Sequence, residues 1–222
     1  MDSRRLPGKA LAEVEGVPLL GYVVPRVRLV RAFAERVVVA TSDRPVDDPL
    51  VEYCRDQGWP VFRGPADDVA GRVLTCAEHH GWDWFARVNG DSPFTDPELL
   101  AEACEVAELG DFDLITNLAP RSFPYGVSAE LIRTESYRQA YAQFRGPDDR
   151  EHVTRYLYDH LADLRYVNIA RRGEDQSGER LTVDTPEDLE AFRAFVARLH
   201  REWRDVTYAD AVRFFQQPRG AA

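Results

Sequence analysis

Arg36-Val37-Val38-Val39-Ala40-Thr41-Ser42-Asp43 is the stretch on which the fold turns. Its β-branched run predicts a strand over 36–41, and Thr41-Ser42-Asp43 closes it with polar loop residues. Downstream, 47–58 reads as an amphipathic helix stopped by Gly58, and 60–63 as a short strand. The segment 67–80 reads as a helix ended by Gly81, and 84–88 as another strand. The loop Asn89-Gly90-Asp91-Ser92-Pro93 follows. Pro97 and Glu98 in the first turn mark a helix over 96–109, and 112–117 reads as a strand. Upstream, 19–31 reads as a helix. Strands alternating with helices predict an α/β fold, a mostly parallel sheet flanked by helices on both faces.

After residue 118 the rhythm changes. Residues 127–132 alternate like a half-exposed strand, 134–144 and 149–161 read as helices, and 165–170 and 180–183 as strands. Thr185-Pro186-Glu187-Asp188 carries a cap, a proline at the first helical position and a carboxylate at the third, so a long helix is expected over 185–203. The 222 residues suffice for one sizeable core, so a single domain, 1–222, is expected, with 118–170 as its elaboration.

The hydrophobic fraction of 44% and charged fraction of 30% are those of a soluble globular chain. The net charge of −10 argues against a nucleic-acid or anionic-membrane surface. Cys54, Cys76 and Cys104 have no metal-ligand spacing and read as reduced thiols of a cytoplasmic protein. No apolar run is long enough to suggest export or spanning.

Lys9 is the only lysine among 28 basic residues, the rest being arginine. It sits in Arg5-Leu6-Pro7-Gly8-Lys9, where a point charge on a flexible stem could meet a phosphate. Four loops fall at strand ends, where ligands of open α/β sheets bind: 3–9, 40–43, 89–91 and 182–185. Asp91 and Asp184 are placed to converge on one Mg²⁺, which favours one or two carboxylates completed by phosphate oxygens and water. Arg5 and Lys9 could hold the remaining charge of a triphosphate. Metal, cationic clamp and positioned nucleophile are the kit for attack at phosphorus. Taken singly, Asp184 also fits a loop residue ahead of a capped helix, and Asp91 a turn residue.

RLPGK, VVVATSD, VFRG followed by DDV, RVNGDSP, SFPYG, REHVT and TVDTPEDLE occur in this order, from residue 2 to about 200. They resemble the spore coat polysaccharide biosynthesis protein F family, which is similar to the acylneuraminate and ketodeoxyoctonate cytidylyltransferases. The resemblance implies a glycosyltransferase-A-like nucleotidyltransferase fold. It also implies transfer of CMP from CTP to an acidic or modified sugar, with release of pyrophosphate, for surface-glycan synthesis. It places Ser3, Arg5 and Lys9 in the triphosphate loop, and Asp91 and Asp184 on the metal. Arg63, Asp68, Arg72 and Asn89 fall near the nucleotide, and Phe123, Gly126, Glu130, Arg150 and His152 near the sugar acceptor. Glu130 fits a solvated strand position equally well, and His152 a helix surface. Related synthetases are homodimers, and the same is expected here. No residue reads as a general base.

Two departures accompany the resemblance. Asp2 stands where the family has Gly. The family's first strand also has no counterpart, so Met1 is expected to be an internal methionine, preceded by ten or more residues of a β-branched strand. Two rivals follow. One is a glycosyltransferase using a nucleotide sugar, disfavoured because a D-x-D metal motif is missing at Asp91. The other is a truncated, inactive nucleotide-binding homologue or subunit partner.

Overall fold

Glu13–Val14 (β1) and Val17–Pro18 (β2) pair antiparallel across Glu15-Gly16, both at positive φ, and feed directly into helix α1 (Leu19–Arg28). This is the computed structural model of the chain, and it describes residues 5–217. The turn is the two-residue type whose twist matches a hairpin, and the sequence reading missed it.

Strand β3 (Val39–Ser42) and strand β4 (Val61–Gly64) are parallel, joined by α2 (Asp48–Asp56). Helix α3 (Val69–His79) leads to β5 (Trp84–Ala86), and α4 (Pro97–Glu108) to β6 (Leu114–Thr116). With β7 (Glu130–Arg133) and β8 (Tyr166–Asn168) these strands form a sheet ordered β5-β7-β6-β8. Only β7 runs against its neighbours in that sheet, and β6 and β8 are parallel. Among the described residues no strand joins β3 to β5. A cavity of about 660 Å³ lies between them.

Successive strand residues point to opposite faces, and two cores result. Phe85, Leu114 and Ile132 face Ala70, Leu74 and Ala77 of α3, together with Tyr137 of α5 (Thr134–Tyr141). Ile115 and Leu131 face the other way, toward α1, α4, α8 (Pro186–Val196) and α9 (Tyr208–Gln216). The half-exposed strand expected over 127–132 is instead β7, whose Glu130, Leu131 and Ile132 are all buried because both faces are covered.

Three other expectations are corrected. The helix over 149–161 is two short helices, α6 (Pro147–Glu151) and α7 (Arg155–Asp159), because His152 turns extended between them. Segment 180–183 is no strand; Arg180 makes one isolated bridge with Tyr125, which lies between β6 and β7 and outside the sheet. The helix expected to reach residue 203 ends at Val196, and Trp203 folds back so that its indole N–H donates to the Tyr22 carbonyl at 2.8 Å.

Arg26 is only 2% exposed although it lies in α1. Its guanidinium donates to the carbonyls of Thr95 and Val206, both at 2.7 Å, and of Trp203 at 3.2 Å. It thereby ties the loop after Asp91 to the C-terminal region. Arg26→Met would take this donor from the Thr95 and Val206 carbonyls, at a cost on the order of 1–3 kcal/mol for each left unpaired in the interior, while the Trp203 carbonyl keeps the Val206 N–H at 3.1 Å. We expect Tm to fall by about 8 °C or more, read by circular dichroism; an unchanged Tm would deny Arg26 this role.

Candidate active site

Gly8, at φ 70°, lets the Arg5–Lys9 loop turn sharply into the short 3-10 helix Lys9–Leu11. The turn aims the Lys9 side chain inward, 21% exposed. Its Nζ donates to Asp91 Oδ2 at 2.5 Å and Asp184 Oδ1 at 2.9 Å. Residues 82 and 175 positions away in sequence are thus brought to one ammonium.

Backbone bonds fix both carboxylates. The Val183 N–H donates to the Asp91 carbonyl at 2.9 Å, joining the two segments. The Asp184 and Thr185 N–H groups both donate to Asp188 Oδ2 at 3.0 Å, and Thr185 Oγ1 accepts from the Asp188 N–H at 3.2 Å. Asp184 is therefore both a residue ahead of a capped helix and a member of the cluster. Asp91 likewise sits in a turn, closed by the Ser92 N–H to the Asn89 carbonyl at 3.1 Å.

Arg5 Nη2 lies 3.2 Å from Asp184 Oδ1. Arg180 pairs with Asp184 Oδ2, and Thr182 Oγ1 donates to the same oxygen at 3.0 Å. The sequence reading missed Arg180 and Thr182. Their signal was spacing: 180, 182 and 184 share one side of an extended segment. Arg5, Lys9 and Arg180 place three cations against two carboxylates, an excess of positive charge in a chain of net −10.

Burial of Asp184 opposes its ionisation, but hydrogen bonding and charge from Lys9, with Thr182 and Arg180, outweigh it and hold the carboxyl at about 2. Asp113 is also held at about 2: burial again opposes, and Arg165 and Ser136 prevail. Both folded values lie below the ordinary 3.8. Their stabilisation is therefore present above about pH 4 and lost as pH falls toward 2, worth roughly 2 kcal/mol for Asp184. Urea denaturation between pH 5 and 2.5 checks this. Asp184→Asn is expected to lose less stability than the parent over that window; parallel curves would contradict the pairing.

The Asp91–Asp184 pair suits Mg²⁺ by donor chemistry: two converging hard oxygens, leaving room for phosphate oxygens and water. Among the described residues no group of three or more His, Cys, Asp or Glu side chains is placed to hold a metal.

Most other expected nucleotide residues lie apart from this cluster. Ser3 lies outside the described residues. Asn89 is exposed beside Asp91. Arg63 donates to the carbonyls of Ser42 at 3.0 Å and Arg44 at 2.9 Å, and to Asp48 at 2.7 Å, tying β4 to the loop after β3. Arg72 donates to the Pro65 carbonyl at 2.8 Å. Asp68 caps α3 through the Gly71 N–H at 2.8 Å and meets Tyr141 Oη at 2.5 Å and Arg150 Nη1 at 2.6 Å. Arg150 is thus joined to a residue expected on the nucleotide side.

The expected acceptor residues divide similarly. Phe123 is 7% exposed and packs edge-on against Tyr208. Gly126 has φ 100°, and a Cβ there would meet Thr182 Cγ2 at 2.9 Å, so it sets the approach to segment 181–182. Glu130 is not solvated: 2% exposed, it accepts from Arg87 at 3.2 Å and Tyr158 Oη at 2.9 Å. His152 is exposed at the end of α6. Nearer Asp184, the Arg180 and Arg121 guanidinium carbons lie over the half-exposed Tyr125 ring at 4.4 and 5.1 Å from its centroid.

The model of a family described as cytidylyltransferase matches residues 1–214. This chain belongs to the cytidylyltransferase family. It is 32% identical over 231 residues to the spore coat polysaccharide biosynthesis protein SpsF of Bacillus subtilis strain 168, covering 100% of this chain and 93% of that protein. It is 31% identical to a 3-deoxy-manno-octulosonate cytidylyltransferase of Aeromonas hydrophila, over 88% of this chain and 95% of that one. A solved cytidylyltransferase structure from Leptospira borgpetersenii superposes with a TM-score of 0.89 at 28% identity, over 97% of this chain and 90% of that chain. A CMP:2-keto-3-deoxy-manno-octonic acid synthetase complexed with CTP superposes at 0.63 and 20% identity, over 88% and 94%, and supports the fold alone. The chain is a nucleotidyltransferase of the CTP-using kind with the expected α/β nucleotidyltransferase fold. Among the described residues no helix is long and apolar enough to cross a membrane.

Proposed function

We propose that this cytidylyltransferase joins CMP to an acidic sugar for polysaccharide synthesis, at the cluster of Arg5, Lys9, Asp91, Asp184 and Arg180. The observation that carries the reading is Lys9 Nζ, held 2.5 and 2.9 Å from two carboxylates at strand ends. A lysine so placed can exchange those carboxylates for phosphate oxygens when the triphosphate arrives, freeing Asp91 and Asp184 to hold Mg²⁺. That ion, when bound, offsets charge on the α-phosphate and the departing pyrophosphate.

Lys9 and Arg5 stabilise the β- and γ-phosphates as negative charge moves onto them. A sugar hydroxyl oxygen forms its bond to the α-phosphorus, the α–β bridging bond breaks, and its electrons leave with pyrophosphate. The hydroxyl proton passes to solvent. Segment 118–170 forms the acceptor side, and the protein works as a homodimer. Arg121 and Arg180 over Tyr125 suit a substrate carrying a carboxylate.

Calorimetric titration of CTP with and without Mg²⁺, followed by pyrophosphate release with a panel of sugar acids and neutral sugars, tests the reading. CTP binding strengthened by Mg²⁺, and pyrophosphate release only with a sugar acid, is expected. Binding without release for every sugar would favour the inactive homologue.

A further inference from the structure

Thr116, Glu130 and Arg87 stand abreast where β5 and β6 end: Thr116 is in register with Glu130, and the Arg87 N–H donates to the Glu130 carbonyl at 3.1 Å. Thr116 is 0% and Glu130 2% exposed. Glu130 Oε2 accepts from Arg87 at 3.2 Å, and Oε1 from the Tyr158 hydroxyl of α7 at 2.9 Å. Tyr158 Oη also lies 2.7 Å from Thr116 Oγ1. The one tyrosine proton goes to the carboxylate, so the Thr116 hydroxyl donates to Tyr158. Thr116 Oγ1 in turn accepts from the Leu118 N–H at 3.1 Å. Three donors thus point one way, from Leu118 to Glu130. Burial above all, with the Glu130 charge, holds the Tyr158 hydroxyl above its ordinary value, so it keeps the proton this chain needs. A buried ionic row adds little stability over apolar residues of similar size. Its use lies in the two segments it joins.

We propose that Glu130 is a positioning residue for the reaction proposed above, on which this inference rests: through Arg87 it holds the loop carrying Asp91, and through Tyr158 and Thr116 the segment carrying Arg121 and Tyr125. Asp91 lies four residues beyond Arg87, and Arg121 three beyond Leu118. One carboxylate therefore sets the spacing between the proposed metal side and the proposed acceptor side. Glu130 itself is buried with both oxygens taken, so it acts through these partners and not on the acceptor. The far end of the segment returns to the cluster. Arg121 and Arg180 lie over Tyr125, and Arg180 pairs with Asp184. Lys9 joins Asp184 to Asp91 and closes the ring.

Two variants of the full chain test this. The triple variant Arg87→Leu, Glu130→Met, Tyr158→Phe makes the row apolar and leaves none of its charges unpaired. Its Tm is expected within about 3 °C of the parent's. Its kcat with a sugar acid is expected to fall about tenfold or more, with the Kd for CTP and Mg²⁺ unchanged, because displaced groups slow the reaction without weakening the nucleotide's hold. A row that served stability alone would give parental kcat at parental Tm, and that result would overturn the proposal. Tyr158→Phe cuts one link and keeps the Arg87–Glu130 pair. The N–H groups of Arg87, Ser92, Leu118 and Ala119 are all bonded in the parent. In Tyr158→Phe, hydrogen exchange is expected to quicken about tenfold at Leu118 and Ala119 and to stay parental at Arg87 and Ser92. Unchanged exchange at Leu118 and Ala119, or equal acceleration throughout the protein, would overturn the proposal. Exchange needs no substrate, so it decides the point even where no sugar acid reacts with the parent, a result that would count against the proposed function instead.

Discussion

Asp184→Asn is expected to lower CTP-dependent turnover by about a hundredfold or more, the loss of roughly 3 kcal/mol of transition-state stabilisation. The carboxylate is 8% exposed and accepts from Lys9, Arg180 and Thr182, so Asn keeps its shape but loses the charge that all three groups address. The amide would leave Lys9 paired to Asp91 alone at 2.5 Å. Steady-state pyrophosphate release at saturating CTP reads the effect. Turnover within a few-fold of the parent would remove Asp184 from the reaction. Because its backbone is held by Asp188 and the cap of α8, the variant should stay folded at neutral pH.

Lys9→Arg is expected to weaken CTP binding at least tenfold while leaving the Tm of the free protein near that of the parent. The positive charge remains, and Arg5 and Arg180 also neutralise Asp184. The shape does not remain: a planar guanidinium cannot occupy the point where one ammonium meets both carboxylates within 2.9 Å. Parent-like affinity by calorimetry would show that a cation of either shape suffices there.

Much of this was legible before any coordinates. The β-branched run at 36–41, the loop closing on Asp91 and the Thr185–Asp188 cap carry their own chemistry, and the structure places each close to where the pattern does. The strand shifts to Val39–Ser42 because β4 pairs only with those residues. What stayed hidden depends on tertiary neighbours. Arg26 shares the apolar side of α1 with Tyr22, Val23 and Val27, and an arginine is ordinarily assigned to water. Only the carbonyls of Thr95, Trp203 and Val206, supplied by distant segments, make its burial favourable. Glu130 is the same case, hidden by Arg87 and Tyr158. Helix α9 did leave a mark: Thr207 caps it through the Asp210 N–H, and Asp210 reaches back to the Thr207 N–H. Residues 180–183 read as a strand by composition, yet among the described residues no strand of the sheet pairs with them, and their one bridge is to Tyr125 in the segment between β6 and β7.

The central claim is that the Lys9–Asp91–Asp184 cluster is where CTP reacts. The most direct measurement is the product formed from CTP and a sugar acid, by mass spectrometry alongside pyrophosphate release, in the parent and in Asp91→Asn. One CMP-sugar formed per pyrophosphate released in the parent, with both lost in the variant, is the predicted result. CMP-sugar formed at parental rate by Asp91→Asn would contradict the account.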